Sequence, residues 1–228
     1  MKKYNVEKTM KELENDFYVS CGNRKLKSNE KVLFLIWSLP AVQTCPYATD
    51  LCIGSCYARK AETAYPDCLP ARENNFRFTL SEKFVPEMIN YISIKLNNLK
   101  NGRKIIFRIH ESGDFYNTAY LKKWLQIIAF FADDDRIKFV TYTKSVRFFA
   151  ETNFKEFQNF VVRYSIWADT KKEEIELAKS LSLPVYTALA RKEMDKLEIK
   201  FHECRCSDCA TCQCCFMKKV ELIICEIH

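Results

Sequence analysis

The chain is short of glycine and has no long apolar run. Its 228 residues include only four glycines, at positions 22, 54, 102 and 113. No apolar run approaches the ~18 residues that a membrane-spanning helix needs, so we expect no membrane span. The opening segment, MKKYNVEKTMKELEND, is charged and has no apolar core of the kind found in signal peptides. We therefore expect a cytoplasmic protein.

Cysteine, in contrast, is abundant, with 12 residues. In a reducing compartment thiols rarely persist as disulfides, and clustered cysteines there more often bind metal. The formal net charge of +7 would suit a nucleic-acid partner. However, the basic residues are spread along the chain, and metal-bound thiolates would cancel part of the surplus. Composition thus favours a metal-binding protein with a packed core over a nucleic-acid-binding module.

Apolar runs typical of strands alternate with helical patterns along most of the chain. Five runs predict strands, at 32–39, 104–110, 137–143, 160–167 and 184–190. Longer amphipathic segments predict helices at 80–100, 118–132 and 170–182, and shorter helices are expected at 56–65 and 145–153. Ser81 is the expected N-cap of the helix at 80–100.

This alternation indicates βαβ units and a mostly parallel sheet. Five or six such units are too few for an eight-unit barrel. The predicted fold is α/β, either a partial (βα)5-6 TIM-like barrel or an open curved parallel sheet, with a small Cys-rich C-terminal metal-binding segment. Residues 1–198 would form the partial barrel with a first iron–sulfur cluster, and residues 199–228 would carry an auxiliary cluster.

Polar side chains recur where the predicted strands end, the edge at which α/β folds carry functional groups. Arg108 and His110 are predicted to share one face of the second strand, because side chains alternate along a strand. Tyr142 and Lys144 flank the end of the third strand. The fourth strand ends with Ser165, Trp167 and Asp169. His110 and Lys144 are accordingly predicted to contact a substrate or cofactor.

The loop after the first strand carries three cysteines, spaced Cys45-x6-Cys52-x3-Cys56. Three thiolates suit three irons of a 4Fe-4S cluster and leave the fourth iron open to another ligand. Zinc is the alternative, but structural zinc takes four ligands and shorter spacings, and Cys68 would have to supply the fourth. Gly54 lies between Cys52 and Cys56, where a tight turn or close approach to a ligand is expected.

The order of these motifs resembles the radical S-adenosylmethionine enzymes, with a cysteine triad after strand one and a small-Gly-acid tripeptide after strand two. In that family the triad holds a 4Fe-4S cluster whose open iron chelates the amino and carboxylate groups of S-adenosylmethionine. The resemblance implies that Ser112, Gly113 and Asp114 contact the amino group, and that Tyr57 is the aromatic residue beside the last cysteine. The usual CxxxCxxC spacing is not kept, because Arg59 stands where its third cysteine would be.

A second resemblance runs over most of the chain, to the phage family called gene product eighty-eight. It is carried by the stretches NRKL (23–26), LPAVQTCP, CYA, RIHESGDFYNTAYLKKW and TYTKS, and by the cysteine-rich tail. It implies a phage protein with an iron–sulfur, radical-enzyme-like fold.

The tail contains six cysteines within HECRCSDCATCQCC. Cys206-x2-Cys209-x2-Cys212 has ferredoxin-like spacing, so Cys204, Cys206, Cys209 and Cys212 are the predicted ligands of a second 4Fe-4S cluster. Zinc bound by four cysteines is the alternative. The candidates for the fourth ligand also include Cys68, Cys214, Cys215 and His202. Cys21 and Cys225 stand alone and are predicted to be structural.

Together these patterns lead to the hypothesis of an enzyme that reductively cleaves S-adenosylmethionine for radical chemistry on an unidentified substrate. Such an enzyme needs a reductant, such as flavodoxin or ferredoxin. The alternatives are a non-catalytic iron–sulfur or zinc protein that acts as an electron carrier, a redox sensor or a nucleic-acid-binding module.

Overall fold

The computed structural model describes residues 2–23, 25–204 and 208–226. Within these residues the chain forms one seven-stranded sheet in the order β1-β2-β3-β4-β5-β7-β6, and every neighbouring pair is parallel. The sheet is curled but open, a half-barrel with β1 and β6 at its edges. The strands are β1 (Val32–Trp37), β2 (Lys104–Ile109), β3 (Ile137–Thr143), β4 (Phe160–Ile166), β5 (Val185–Leu189), β6 (His202–Cys204) and β7 (Leu222–Glu226).

Helices connect the strands in the usual alternating manner of α/β proteins. Those in the described ranges are α1 (Met10–Leu13), α2 (Asp50–Gly54), α3 (Tyr57–Ala64), α4 (Cys68–Leu80), α5 (Phe84–Asn97), α6 (Thr118–Phe130), α7 (Val146–Ala150), α8 (Lys172–Ser180), α9 (Arg191–Met194) and α10 (Cys209–Cys212). Two short 3-10 turns cover Phe154–Glu156 and Cys214–Phe216. None of the helices in the described part of the chain has the length and apolar character needed to cross a membrane.

The predicted α/β fold with an open curved parallel sheet is confirmed, and all five predicted strands are present as β1 to β5. The boundary at Ser81 was wrong. Ser81 follows α4, its backbone is extended (φ −74°, ψ 150°), and α5 begins only at Phe84. An extended backbone suits an N-cap, and the Ser81 Oγ accepts a hydrogen bond from the Lys83 N–H at 3.1 Å, but Lys83 rather than Ser81 directly precedes α5. Phe78 and Phe84 then pack edge to face, with ring centroids 5.8 Å apart.

The two faces of the sheet have separate apolar clusters, as expected for parallel strands buried on both sides. The larger cluster lies between the sheet and the helices and includes Trp37, Phe107 and Trp124. The opposite face, called here the inner face, presents Val32, Phe34, Ile106, Val140 and Val161. Two tail residues, Ala210 and Phe216, pack on this inner face. The tail therefore covers part of the concave side of the sheet.

Residues after 198 also extend the sheet itself. β7 pairs with β5, from Val185↔Leu222 to Leu189↔Glu226, and β6 pairs with β7 at its outer edge. Sequence analysis did not predict these two strands: β6 has three residues and no apolar run, whereas β7 was missed although it has an apolar run, LIIC, and the same length as β5. Their position brings the cysteine-rich tail back against the strands that precede it.

Candidate functional site

The loops after β1 and β2 are held side by side at the carboxyl end of the sheet. In-register pairing of β1 with β2 ends at Trp37↔Ile109. Beyond it, the Leu39 backbone N–H donates to the Ser112 carbonyl at 3.0 Å, and the Asp114 N–H donates to the Thr44 carbonyl at 3.2 Å. The parallel pairing thus places the cysteine loop directly against the Ser112-Gly113-Asp114 tripeptide.

The two glycines singled out in the sequence differ in their surroundings. Gly113 has φ +78°, and a Cβ atom at this position would lie 2.7 Å from the Leu39 Cβ. The expected close approach is therefore present at Gly113, although the neighbour is protein. Gly54 ends α2 in helical conformation, and a Cβ atom there would meet nothing within 4 Å. The expectation of a tight turn at Gly54 was wrong, and a close approach to a ligand there remains a prediction.

The three cysteines of the first loop come from three local structures. Cys45 follows a turn in which its N–H donates to the Val42 carbonyl at 3.0 Å. Cys52 lies in α2, and its N–H donates to the Thr49 side chain, which caps that helix, at 3.3 Å. Cys56 is the N-cap residue of α3. All three side chains are partly buried.

Electrostatics links these cysteines to one another and to the tripeptide. Burial raises the pKa of Cys45 to about 12, and the negative charges of Asp114, Cys52 and Cys56 add to this shift. Burial also raises the pKa of Cys52, while the positive charge of Lys144 opposes the increase. Ionisation of the Cys45 and Cys52 thiols is therefore unfavourable unless a positive charge lies close to them.

The spacing of these thiols bears on the kind of metal they suit. Among the described residues, the ligand atoms of Cys45, Cys52 and Cys56 are not all within 4.8 Å of one another. Ligands of a single ion lie close together, whereas cubane thiolates bind different irons and lie farther apart. The three thiols therefore do not converge as the ligands of one ion would, and an iron–sulfur cluster in this loop remains a prediction.

Asp114 is buried and acts as a link between loops. Its Oδ1 accepts hydrogen bonds from the Phe115 N–H and the Thr143 hydroxyl, both at 2.7 Å. Its Oδ2 accepts from the Lys144 N–H at 2.8 Å. Burial raises the pKa of Asp114, although these hydrogen bonds oppose the increase. The carboxylate thus fastens the loop after β2 to the loop after β3, and contact with a cofactor amino group remains a prediction.

Ser112 keeps unused hydrogen-bonding capacity beside this link. Its side chain is buried, and its Oγ has no hydrogen-bond partner in the described part of the chain. Its carbonyl is occupied by Leu39. Within the tripeptide, the Ser112 hydroxyl is therefore a buried polar atom without a hydrogen-bond partner among the described residues.

Lys144 is brought next to the cysteine loop, and its contact with a substrate or cofactor remains a prediction. It is buried, its Nζ donates to the Ser165 carbonyl at 2.8 Å, and it lies 6.0 Å from the centroid of the Trp167 ring. Burial lowers the pKa of Lys144, and the charges of Cys52 and Asp114 oppose that decrease. Lys144 thus supplies positive charge beside the Cys52 thiol.

Tyr57 and His110 have different surroundings. Tyr57 is 60% exposed, and its hydroxyl donates to the Glu111 carbonyl, so the ring spans from α3 to the loop after β2. The His110 ring is buried with Nε2 3.0 Å from the Tyr120 hydroxyl, and it packs edge to face on Phe115. Burial lowers the pKa of His110 to about 3. This environment is the helix side of the sheet rather than the cysteine loop.

The prediction that Arg108 and His110 share a face was wrong. Strand β2 ends at Ile109, and His110 has φ +62°, so the alternation of side chains stops there. The Arg108 guanidinium lies 3.7 Å from the centroid of the Tyr142 ring, whose side chain packs against the inner cluster. Arg108 therefore lies on the inner face and His110 against α6.

Sequence reasoning missed the residues that anchor the cysteine loop. Glu62 accepts hydrogen bonds from the Ala41 N–H and from Arg72 Nη1, each at 2.8 Å. Asp169, noted only as a polar residue after the fourth strand, accepts from the Leu51 N–H at 2.8 Å. Arg72 lies in α4, where buried polar residues hide the helical pattern. No local signal in the sequence connects these residues to the loop.

The tail forms a separate group of potential metal ligands. The ligand atoms of His202, Cys212 and Cys214 all lie within 4.8 Å of one another. They line a cavity of about 250 Å³ together with Cys204, Cys209 and Cys215. Cys206, one of the predicted cluster ligands, lies outside the described residues. A second 4Fe-4S cluster in the tail therefore remains a prediction.

Arg163 holds this tail to the sheet. Its side chain is fully buried, and it donates four hydrogen bonds to backbone carbonyls of the tail. The acceptors are the carbonyls of Cys215 (2.8 Å), Val220 (2.7 Å), Cys214 (2.9 Å) and Met217 (2.7 Å). Nearby, a hydrogen bond with Cys204 lowers the pKa of Cys215 to about 6, despite the opposing effect of burial.

Comparisons with known proteins support the resemblance to the phage family. The Gene 88 protein of Mycobacterium phage D29 is 30% identical over 114 residues, which are 46% of this chain and 45% of that protein. The match thus spans less than half of that relative's length. No solved structure matches the chain. The sequence model of the family described as Gene product 88 matches residues 11–218, which include both cysteine sets, and the chain therefore belongs to the Gene product 88 family.

Proposed function

We propose that the chain is an iron–sulfur enzyme that uses S-adenosylmethionine for radical chemistry. Cys45, Cys52 and Cys56 would hold a 4Fe-4S cluster at the carboxyl end of the half-barrel. The observation that carries this proposal is the docking of the three-cysteine loop on the Ser112-Gly113-Asp114 loop, at the edge where α/β sheets bind ligands. A cluster with three protein thiolates has one iron open to a cofactor.

Cys45, Cys52 and Cys56 would hold the group that supplies the electron, taken from an external reductant, for cleavage of S-adenosylmethionine to methionine and a 5′-deoxyadenosyl radical. The protein provides binding, orientation and exclusion of water. Lys144, buried beside Cys52, offsets part of the negative charge that three thiolates bring to the loop. The buried Ser112 hydroxyl, which has no partner in the described part of the chain, would bond to the amino or carboxylate group of the cofactor.

Asp114 would act by positioning, because its oxygens already accept hydrogen bonds from Phe115, Thr143 and Lys144. Through them it fixes the tripeptide relative to β3. Tyr57 links α3 to the loop after β2 through its hydroxyl, and its ring is exposed. His110 contributes from the helix side, where it supports the loop rather than touching the cysteines.

The test is purification of the full chain without oxygen, followed by analysis of iron and sulfide. We expect four irons bound through the first loop, and a change in the electron paramagnetic resonance spectrum of the reduced protein when S-adenosylmethionine is added. Incubation with a reductant such as flavodoxin or dithionite should then yield 5′-deoxyadenosine, detected by mass spectrometry.

Matched cysteine variants identify the ligands. Cys45→Ala, Cys52→Ala and Cys56→Ala should each lose the iron of the first loop, whereas Cys21→Ala, at an exposed position, should keep it. Cys68→Ala distinguishes a cluster with an open iron from one with four protein thiolates. Loss of iron in Cys68→Ala would contradict the proposal. An intact cluster would instead favour an electron carrier or redox sensor if S-adenosylmethionine leaves its electron paramagnetic resonance spectrum unchanged and no 5′-deoxyadenosine forms.

A further inference from the structure

The cavity in the tail brings together ligand atoms at distances that suit one metal ion. His202 Nε2 lies 3.3 Å from the Cys212 Sγ, and the Cys214 Sγ is within 4.8 Å of both. Ligands that share an ion lie this close because metal–sulfur and metal–nitrogen bonds are about 2.0–2.3 Å long. Thiolates of a cubane each bind a different iron and need not converge in this way.

The local backbone explains how these side chains converge. Asp208 caps the short helix α10 by accepting hydrogen bonds from the Ala210 and Thr211 N–H groups. Cys209 and Cys212 begin and end this helix, a separation of three residues that places them on one side of it. Gln213 has a left-handed backbone (φ +52°), which turns the chain so that Cys214 also lines the cavity.

We propose that this cavity binds a single Zn²⁺ ion through His202, Cys212 and Cys214, whose ligand atoms converge, with Cys209 of the same cavity as the fourth ligand once its side chain turns towards the ion. Three cysteines and one histidine are an established ligand set of structural zinc, and Cys209-x2-Cys212 has the spacing of a zinc knuckle. This ligand set differs from the cubane set predicted from the sequence, since it replaces Cys204 and Cys206 with His202 and Cys214. It is independent of the cluster proposed for the first loop.

The surroundings compensate the charge of such a site. Three thiolates around a divalent cation leave one net negative charge, and binding releases the three thiol protons to solvent. The buried guanidinium of Arg163 acts on Cys214 with the opposite charge, while its N–H groups hold the Cys214 and Cys215 carbonyls. The ligand loop is thus held in place by a residue of β4 and not only by the metal.

The ion would join the outer strand of the sheet to the segment that covers its inner face. His202 belongs to β6, and Cys209 and Cys212 belong to α10. After α10, Phe216 packs on Phe34 of β1 with ring centroids 5.7 Å apart. A zinc ion at this point stabilises the tail as a cover over the concave side of the half-barrel.

The experiment measures zinc and iron in the full-length protein, purified without oxygen from medium that contains both metals. We expect one zinc per chain in the wild type, its loss in His202→Ala and Cys214→Ala, and its retention in Cys204→Ala and Cys206→Ala. Iron should be unchanged in all four variants, because the first loop is intact. His202→Cys should keep the zinc, since a thiolate can replace the imidazole as a ligand.

A wild-type chain without zinc, zinc retained in Cys214→Ala, or iron lost in Cys204→Ala and Cys206→Ala would each overturn the zinc site. Circular dichroism shows whether a variant folds. If His202→Ala does not fold, His202→Cys decides: retained zinc supports the proposal, and lost zinc overturns it. Iron that disappears only in variants of Cys45, Cys52 or Cys56 reports on the first loop and leaves the zinc result unaffected.

Discussion

Gly113 lies so close to Thr44 that a Cβ atom on it would be 2.5 Å from the Thr44 Oγ1. The Thr44 hydroxyl is itself engaged, donating to the Pro40 carbonyl at 2.7 Å. Because Cys45 follows Thr44 directly, the contact between these two loops positions the first thiol. A side chain at position 113 would separate the cysteine loop from the tripeptide.

Gly113→Ala should therefore disturb the first loop more than Gly102→Ala. Both glycines have φ +78°, but a Cβ at Gly102 meets nothing within 4 Å. Each substitution has the conformational cost of a left-handed alanine, about 1–2 kcal/mol. Gly113→Ala has an additional cost from the steric overlap, about 1–3 kcal/mol. Urea unfolding measures this difference, and iron analysis should show a loss only in Gly113→Ala. Equal stability and equal iron content in the two variants would refute this relationship.

Arg163→Met should loosen the tail. The substitution leaves four backbone carbonyls without their charged donor, and hydrogen bonds to charged groups contribute about 1.5–3 kcal/mol each, though not additively. We expect a loss of about 3 kcal/mol or more in the free energy of unfolding, with faster tryptic cleavage at Lys218 and Lys219. Arg163→Lys should recover only part of the stability, because lysine lacks the planar fork of donors.

The control for Arg163 is Arg77→Met, at an exposed position of α4. Its effect should stay within about 0.5 kcal/mol, as for other surface substitutions. Similar losses in the Arg163 and Arg77 variants would contradict the role of Arg163 in holding the tail.

Asp134→Asn should lower stability at neutral pH and flatten the acid limb of the stability curve. Burial alone would raise the pKa of Asp134, but hydrogen bonds from Arg136 and Tyr4 outweigh it and lower the pKa to about 2. A carboxylate with a lowered pKa stabilises the fold above its unfolded value of 3.8, and this contribution is lost as the pH falls towards 2. The wild type should thus exceed the variant by about 2 kcal/mol at pH 7.

Urea unfolding from pH 7 down to pH 2.5 measures the difference between the two proteins, which should narrow below about pH 4. Asp135→Asn is the matched control, since the Asp135 side chain is 89% exposed. A difference that stays constant over the whole pH range would show that the Asp134 charge is unimportant.

The wild type should lose stability as the pH falls below 6.5, and His110→Asn should not show this loss. The pKa of His110 is lowered to about 3 by burial, against 6.5 when the side chain is free. Between these values the unfolded chain binds a proton that the folded chain does not, so stability falls as the pH decreases from 6.5. The slope is about 1.4 kcal/mol per pH unit for one proton.

Asparagine does not titrate and tolerates the left-handed backbone at this position. The variant loses ring packing on Phe115 and is therefore less stable overall, but its stability curve should be flatter by one proton between pH 6 and 4. Chemical unfolding at several pH values provides the slope. An unchanged slope would mean that His110 is protonated in the folded protein.

The strands that position the site were predictable because parallel strands, buried on both faces, appear as continuous apolar runs. VLFLIW is such a run, KIIFRI contains the shorter run IIF, and both are parallel neighbours in the sheet. Helix α4 was not predicted, because its buried residues include Arg72 and Asn75 and its apolar periodicity is weak. The buried Asn75 amide is satisfied by donating hydrogen bonds to the carbonyls of Tyr18 and Ser38, which lie far away in sequence.

The amino-acid sequence alone determined the parallel α/β order, three thiols in the loop after the first strand, and a glycine in the loop after the second. These are local properties, since strand propensity, loop position and backbone freedom depend on neighbouring residues. Only the tertiary structure decided that His202 meets Cys212 and Cys214, and that Arg163 holds their loop. Those contacts depend on β7 pairing with β5 and on the left-handed turn at Gln213, which together bring distant segments into one cavity.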